Sequence, residues 1–264
     1  MGGTYMNNDQ IPYHDNHDEI LETSILAGKI MLQSGAETSR VEDTMERIIR
    51  NALHKPDSME AYTYVTVNGI FAKITGSHTS FARIDQRDFD LNKVTKVNQL
   101  SRSFAEGTLE LSDMHQELLE LERESASIPR WLKVLCTAGL SGSIMLIFGG
   151  SYIDLPATMV AGVAAYMTFL FIWNNLKVPF LSEYIGTLIG GTLGYFLTMQ
   201  FGENIDLVMI GAVVPLVPGI LITNSIRDIM ARHYLSGLIR FIEGIFTAGA
   251  LGAGIATVYY LFII

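Results

Sequence analysis

Five apolar runs follow one another after Pro129, at 131–150, 155–173, 180–201, 206–223 and 241–264. Each is close to the ~20 residues that cross the ~30 Å hydrocarbon core of a bilayer. Buried helices of a soluble protein do not account for them, because five such runs in residues 130–264 leave no polar face to cover them. The chain therefore divides at Pro129. Residues 1–129 hold 21 of the 27 acidic and 12 of the 18 basic side chains, and residues 130–264 hold six of each. The expected organisation is a disordered tail over 1–15, a soluble cytoplasmic α/β domain over 16–129, and a bundle of five transmembrane α-helices over 130–264. An acidic soluble half lacks the basic face that nucleic acid requires. The lone Cys136 has no internal disulfide partner. Residues 1–20 are polar and acidic, so no signal peptide is expected.

Orientation follows from the basic residues, which favour the cytoplasmic side. With the N-terminal domain inside, Arg130, Lys133, Lys177, Arg227, Arg232 and Arg240 all fall on the inner side. The outer loops carry only acids: Asp154, Glu203 and Asp206. Trp131 and Trp173 fall at the inner interface, and the C-terminus is expected outside.

The soluble half reads α, then β, then α. Helical spacing of Ile20, Leu21, Ile25, Ile30 and Met31 predicts a helix over 18–33, with Gly35 as its stop. A second helix is expected over 38–54, with Ser39 and Glu42 as a capping box and Asp43/Arg47 as an i,i+4 pair. Strands are expected over 62–67 and 70–75, joined by a turn at Asn68-Gly69, and over 78–84. Helices over 91–104 and 111–125 follow.

The run Ser34-Gly35-Ala36-Glu37-Thr38-Ser39-Arg40-Val41-Glu42-Asp43-Thr44-Met45 resembles the signature of the N-terminal part of the threonine/serine exporter family. Pro215-Leu216-Val217-Pro218-Gly219, Asn224-Ser225-Ile226-Arg227-Asp228 and Tyr234-Leu235-Ser236-Gly237 resemble that family's later membrane motifs. One departure stands out: Arg232-His233 occupy the place of an expected Gly-Asp. The resemblance implies a subunit of a secondary-active exporter in the cell (inner) membrane, moving threonine and serine out of the cytoplasm. Some family members are one long chain with about ten spans and others are split in two. This length resembles the larger subunit of the split form, so a second small membrane subunit of about five spans is implied. Dicarboxylate (succinate) export is the alternative substrate reading, and a homo-oligomer is compatible with either. The chain is expected to be no enzyme and to need no cofactor or metal.

Two groups of residues carry the candidate chemistry. Pro215 and Pro218 interrupt the fourth run, and a proline inside a span frees a carbonyl that protein, water or ligand must satisfy. Short, Gly/Pro-interrupted spans point to transporter sites. Thr223, Asn224, Arg227 and Asp228 follow directly. They suit a zwitterionic, hydroxylated substrate, with Asp228 toward the ammonium and Arg227 or helix-end N–H groups toward the carboxylate. An interfacial Arg227/Asp228 ion pair is the competing reading. In the soluble motif, Glu37, Arg40, Glu42 and Asp43 are candidates for gating or docking at the cytoplasmic mouth, against a purely structural reading as caps and surface pairs. A membrane-anchored hydrolase or sensor is the remaining class. Ser34, His54, His78 and Asp85 can be assembled into a triad on paper, and His14, His17, Asp15 and Asp18 into a loose metal site, but no spacing requires either. Small residues recur four apart at Gly186, Gly190 and Gly194, and at Gly244, Ala248, Gly252 and Ala256, which predicts two close-packing faces.

Overall fold

The computed structural model describes residues 13–53, 61–85, 87, 89–124 and 128–264. They form two compact units: Met1–Ala126 with Thr223–Arg240, and Ser127–Ile222 with Phe241–Ile264. The polar segment before the last span thus groups with the N-terminal half.

In the first unit, α1 (Tyr13–Gln33) and α2 (Thr38–Ala52) are followed by β1 (Ala61–Thr66), β2 (Gly69–Ile74) and β3 (Thr79–Arg83). Then come α3 (Leu91–Ala105) and α4 (Leu111–Arg123). α1 begins at Tyr13, inside the stretch expected to be a tail; residues 1–12 lie outside the described residues. The sheet is antiparallel in the order β1-β2-β3. Val67 and Asn68 form its first turn, while Gly69 already pairs with Thr66. The turn is therefore one residue earlier than expected, and Gly69 serves close packing: a Cβ there would lie 2.9 Å from Phe81. α1 packs against α2, α3, α4 and the sheet. Ile20, Leu21, Ile30, Met31, Met45, Ile48, Ile70 and Met114 make the core. Lys29 pairs with Glu122 at 2.7 Å and ties α1 to α4. On the other face of the sheet, Tyr64, Phe71 and Phe81 form an exposed cross-strand aromatic row.

The second unit is helical: α5 (Arg130–Ile147), α6 (Leu155–Leu176), α7 (Leu181–Phe201), α8 (Ile205–Val213), a 3-10 turn (Val214–Leu216), and parts of α9 (Gly219–Met230) and α10 (Tyr234–Phe262). Helices therefore stand at all five apolar runs. Arg130–Ile147, Leu155–Leu176 and Tyr234–Phe262 are long and apolar enough to cross a membrane. The pair Ile205–Leu216 and Gly219–Met230, bent by 61°, makes a fourth if counted as one span. α7 has the length, at 21 residues, but its glycines, threonines and tyrosines leave it less apolar.

The Gly186–Gly190–Gly194 face of α7 does pack closely, against α6. A Cβ at Gly190 would lie 2.5 Å from the Ala165 Cβ and 2.8 Å from the Ala161 carbonyl oxygen. On α10 the packing face differs from the expected one. Thr247, Leu251 and Val258 are buried, and a Cβ at Gly254 would collide with Thr187. Gly252 faces open space instead. Gly244 alone of the two expected glycines meets a neighbour, Ile222. Asp154 is fully buried, and its Oδ1 accepts hydrogen bonds from the Glu203 (2.7 Å) and Asn204 (3.4 Å) N–H groups. It thereby fastens the α5–α6 loop to the α7–α8 loop.

Candidate functional site

The site is built where α1 stops. Gly35 sits at φ +88°, a left-handed conformation that costs glycine nothing. The Ala36 N–H donates to the Met31 carbonyl and the Gly35 N–H to the Leu32 carbonyl, the two bonds of a Schellman stop. This turn leaves three consecutive carbonyls free to accept from elsewhere in the first unit. Ser34 O takes the Asp90 N–H at 3.2 Å. Gly35 O takes the Asn224 side-chain amide at 2.9 Å. Ala36 O takes the Arg240 guanidinium at 3.0 Å.

Next begins α2, whose first-turn N–H groups need acceptors. The expected Ser39/Glu42 capping box does not form. Glu37 is the N-cap residue and makes no side-chain cap. The acceptor comes from a segment about 190 residues later: Asp228 Oδ1 accepts the Thr38 N–H at 2.9 Å, and Oδ2 accepts the Thr38 hydroxyl at 3.0 Å. A carboxylate at a helix N-terminus is also favoured by the helix dipole. The charge of Asp228 is matched by Arg240, whose Nε lies 3.2 Å from Oδ2. Asp228 is 0% and Arg240 1% exposed. Asp228 therefore pairs with Arg240, whereas Arg227 turns to Glu37, which also has Arg40 at 3.6 Å. Glu42 meets His233 at 3.3 Å. Burial holds the Glu42 carboxyl above its ordinary value of 4.5; His233 opposes the shift, and Glu46 and Asp43 add to it.

Of the soluble candidates, Glu37 and Glu42 thus face the Thr223–Arg240 segment. Arg40 and Asp43 line a cavity of about 590 Å³ on the side of α2 that meets α3. Asp43 and Arg47 line it together without forming the expected ion pair. Pro215 and Pro218 break the helix as expected, between α8 and α9, and belong to the second unit. Thr223, Asn224, Arg227 and Asp228 belong to the first. The paper triad is not assembled: His78 pairs with Asp18 at 3.1 Å, Asp85 with Arg83, and His54 lies outside the described residues. Side chains of His14 and Asp15 are likewise outside them.

Sequence reading missed Thr38 as the anchored residue and Arg240 as the counter-ion. The signal for Arg240 was its place beside an apolar run, where a charge needs a partner. His233 occupies the position where the expected acid is absent, and its Nε2 lies 3.3 Å from a Glu42 carboxylate oxygen.

An acidic α/β unit with a Ser-Gly-Ala-Glu-Thr turn, in one chain with apolar helices long enough to cross a membrane, defines the class. The family described as "Putative threonine/serine exporter" matches residues 22–262, and the chain belongs to that family. It is 22% identical over 241 residues to a "Probable threonine/serine exporter" of Mycobacterium tuberculosis, covering 90% of this chain and 45% of that protein. It is 22% identical over 256 residues to a "Threonine/serine exporter" of Corynebacterium glutamicum, covering 92% of this chain and 51% of that protein. The chain thus spans about half the length of the curated relatives it matches. No solved structure matches it.

Proposed function

We propose that the chain is a subunit of a secondary-active exporter that moves small polar metabolites, threonine and serine, out of the cytoplasm. The observation that carries this reading is the buried Asp228–Arg240 pair, set on the first turn of α2 and placed just after the helix break at Pro215 and Pro218. A buried ion pair is a weak source of net stability, and ionisable groups beside a span are functional candidates by default. We assign Asp228, Asn224, Arg227 and Thr223 to a gate that the 34–38 turn closes through Glu37 and Thr38. When that contact opens, the same groups become available to the ammonium and carboxylate of a substrate.

The five-span topology, with the N-terminal unit cytoplasmic and the C-terminus outside, is supported by the six inner basic residues and by the helices at all five runs. A second membrane subunit of about five spans is supported by the half-length coverage of the relatives. Coupling to an ion gradient is what membership of the family suggests. The test is export of labelled threonine, serine and succinate from cells carrying the chain alone, the second subunit alone, or both. Threonine and serine should leave only with both. Succinate export without threonine export overturns the substrate assignment, and full export by the second subunit alone overturns the role of this chain.

A further inference from the structure

The cavity between α2 and α3 is made by two outward helix faces. Arg40, Asp43 and Arg47 come from α2 at i, i+3, i+7 spacing, Glu37 lines it from the N-cap of α2, and Asn98, Gln99 and Arg102 come from α3. Among the described residues, Asp43, Arg47 and Arg102 have no ion-pair partner. Asp43 and Arg47 are four apart on one helix, a spacing at which opposite charges ordinarily meet, yet both are left facing the cavity. Arg40 has only the 3.6 Å contact to Glu37, which is also paired with Arg227.

We infer that this cavity is a binding site for a free α-amino acid in its zwitterionic form, distinct from the Asn224–Asp228 groups assigned to the gate and adjoining it at Glu37. A zwitterion satisfies both signs at once: its ammonium meets Asp43, and its carboxylate is forked by Arg102 or Arg47, the geometry guanidinium groups favour. A dicarboxylate is opposed by Glu37 and Asp43, and a diamine meets three guanidiniums. The neutral Gln99 remains for a side-chain hydroxyl, while Asn98 already accepts the Thr44 hydroxyl and donates to the Val94 carbonyl. The volume of about 590 Å³ lies within the ~300–1,000 Å³ of small-molecule sites. The site goes beyond export itself and gives the soluble unit a readout of the cytoplasmic amino-acid pool.

Equilibrium dialysis of labelled L-threonine against the full chain in detergent tests this, with succinate and putrescine as competitors. Threonine should bind, and both competitors should be at least about tenfold weaker. Arg102→Gln and Asp43→Asn should each weaken threonine about tenfold or more, the scale of a lost charged hydrogen bond. Arg102→Lys, which keeps the charge but not the fork, should fall between. Asp43→Asn should also narrow the gap between threonine and succinate, a change that mere unfolding does not produce. Absent threonine binding, binding unchanged in both variants, or succinate as the better wild-type competitor overturns the inference. Export in cells is measured in parallel. Unchanged binding in variants of an exporting chain sinks the cavity site alone, whereas variant-sensitive binding by a chain that exports nothing sinks the transport reading alone.

Discussion

Asp228→Asn keeps the size of the side chain and removes its charge. The wild-type carboxylate holds three groups: the Thr38 N–H at 2.9 Å, the Thr38 hydroxyl at 3.0 Å and the Arg240 Nε at 3.2 Å. An asparagine oxygen can keep the Thr38 N–H, and its amide can donate to the Thr38 hydroxyl oxygen. The group that loses its carboxylate is Arg240, 1% exposed, which keeps its hydrogen bond to the Ala36 carbonyl. Breaking one side of a buried pair costs about 3–5 kcal/mol, most of it for the stranded charge. Arg240→Met alone strands Asp228 and also removes the donor to Ala36 O, so a similar loss is expected. The double variant strands no charge. Its cost should fall short of the sum by about 2 kcal/mol or more, although the Ala36 carbonyl still lacks its donor. Urea-dependent pulse proteolysis of the full chain in detergent measures the opening free energy of each variant. A coupling within about 0.5 kcal/mol, the range expected for independent sites, would falsify the claim that these residues act as one buried pair.

Glu37→Gln removes a partner of Arg227, which is half exposed, and should cost under about 1 kcal/mol in the same assay. Glu42 keeps its proton longer folded than unfolded, because burial holds its carboxyl above 4.5. Its contribution to stability should therefore fall as pH rises from 4.5 through the raised value. Glu42→Gln should flatten that part of the pH–stability curve, and an unchanged curve refutes the assignment. Gly190→Leu should disrupt α6/α7 packing by about 1–3 kcal/mol or more and lower the amount of inserted protein, since backbone surrounds the site. Gly252→Leu, facing open space in this chain, should leave the amount of inserted protein unchanged, in contrast to Gly190→Leu. A reporter fused after Ile264 should appear outside the cell and one in the 174–177 loop inside; a cytoplasmic C-terminus overturns the five-span topology.

Local pattern made most elements legible. Period-3.6 spacing placed α1, α3 and α4 within a few residues, and the β-branched runs placed all three strands. Gly35 was legible as a helix stop because its physical requirement is local. The hairpin turn shifted because Gly69 is needed for room beside Phe81, a cross-strand contact invisible in a dipeptide. The capping box failed for a similar reason. Ser39 and Glu42 have suitable spacing, but α2 already begins at Thr38, where Asp228 offers a charged acceptor. A contact between residues 38 and 228 leaves no trace in local periodicity. The same holds for the α10 face: Gly244, Ala248, Gly252 and Ala256 match the small-residue pattern, yet Gly254 meets α7 because the neighbour's shape decides which side is filled. The candidate site was half readable. Its residue types were evident in Asn224, Arg227, Asp228, Glu37 and Glu42, whereas their pairing was not.

The first unit is discontinuous: its last piece, Thr223–Arg240, is separated from Ala126 by roughly 100 residues. During synthesis the α/β segment therefore emerges without Asp228, and the leading amides of α2 have no carboxylate to receive them. At ~5–20 residues per second the missing piece arrives about 5–20 s later. By then most of the apolar runs have already been handed to the membrane. Until Asn224, Asp228 and Arg240 reach the turn, the nascent α/β segment is unfinished, so completion of the first unit reports that the intervening apolar helices have been made. A chain stalled or misinserted before residue 223 would carry an unsealed turn, a defect on which cellular proteolysis can act.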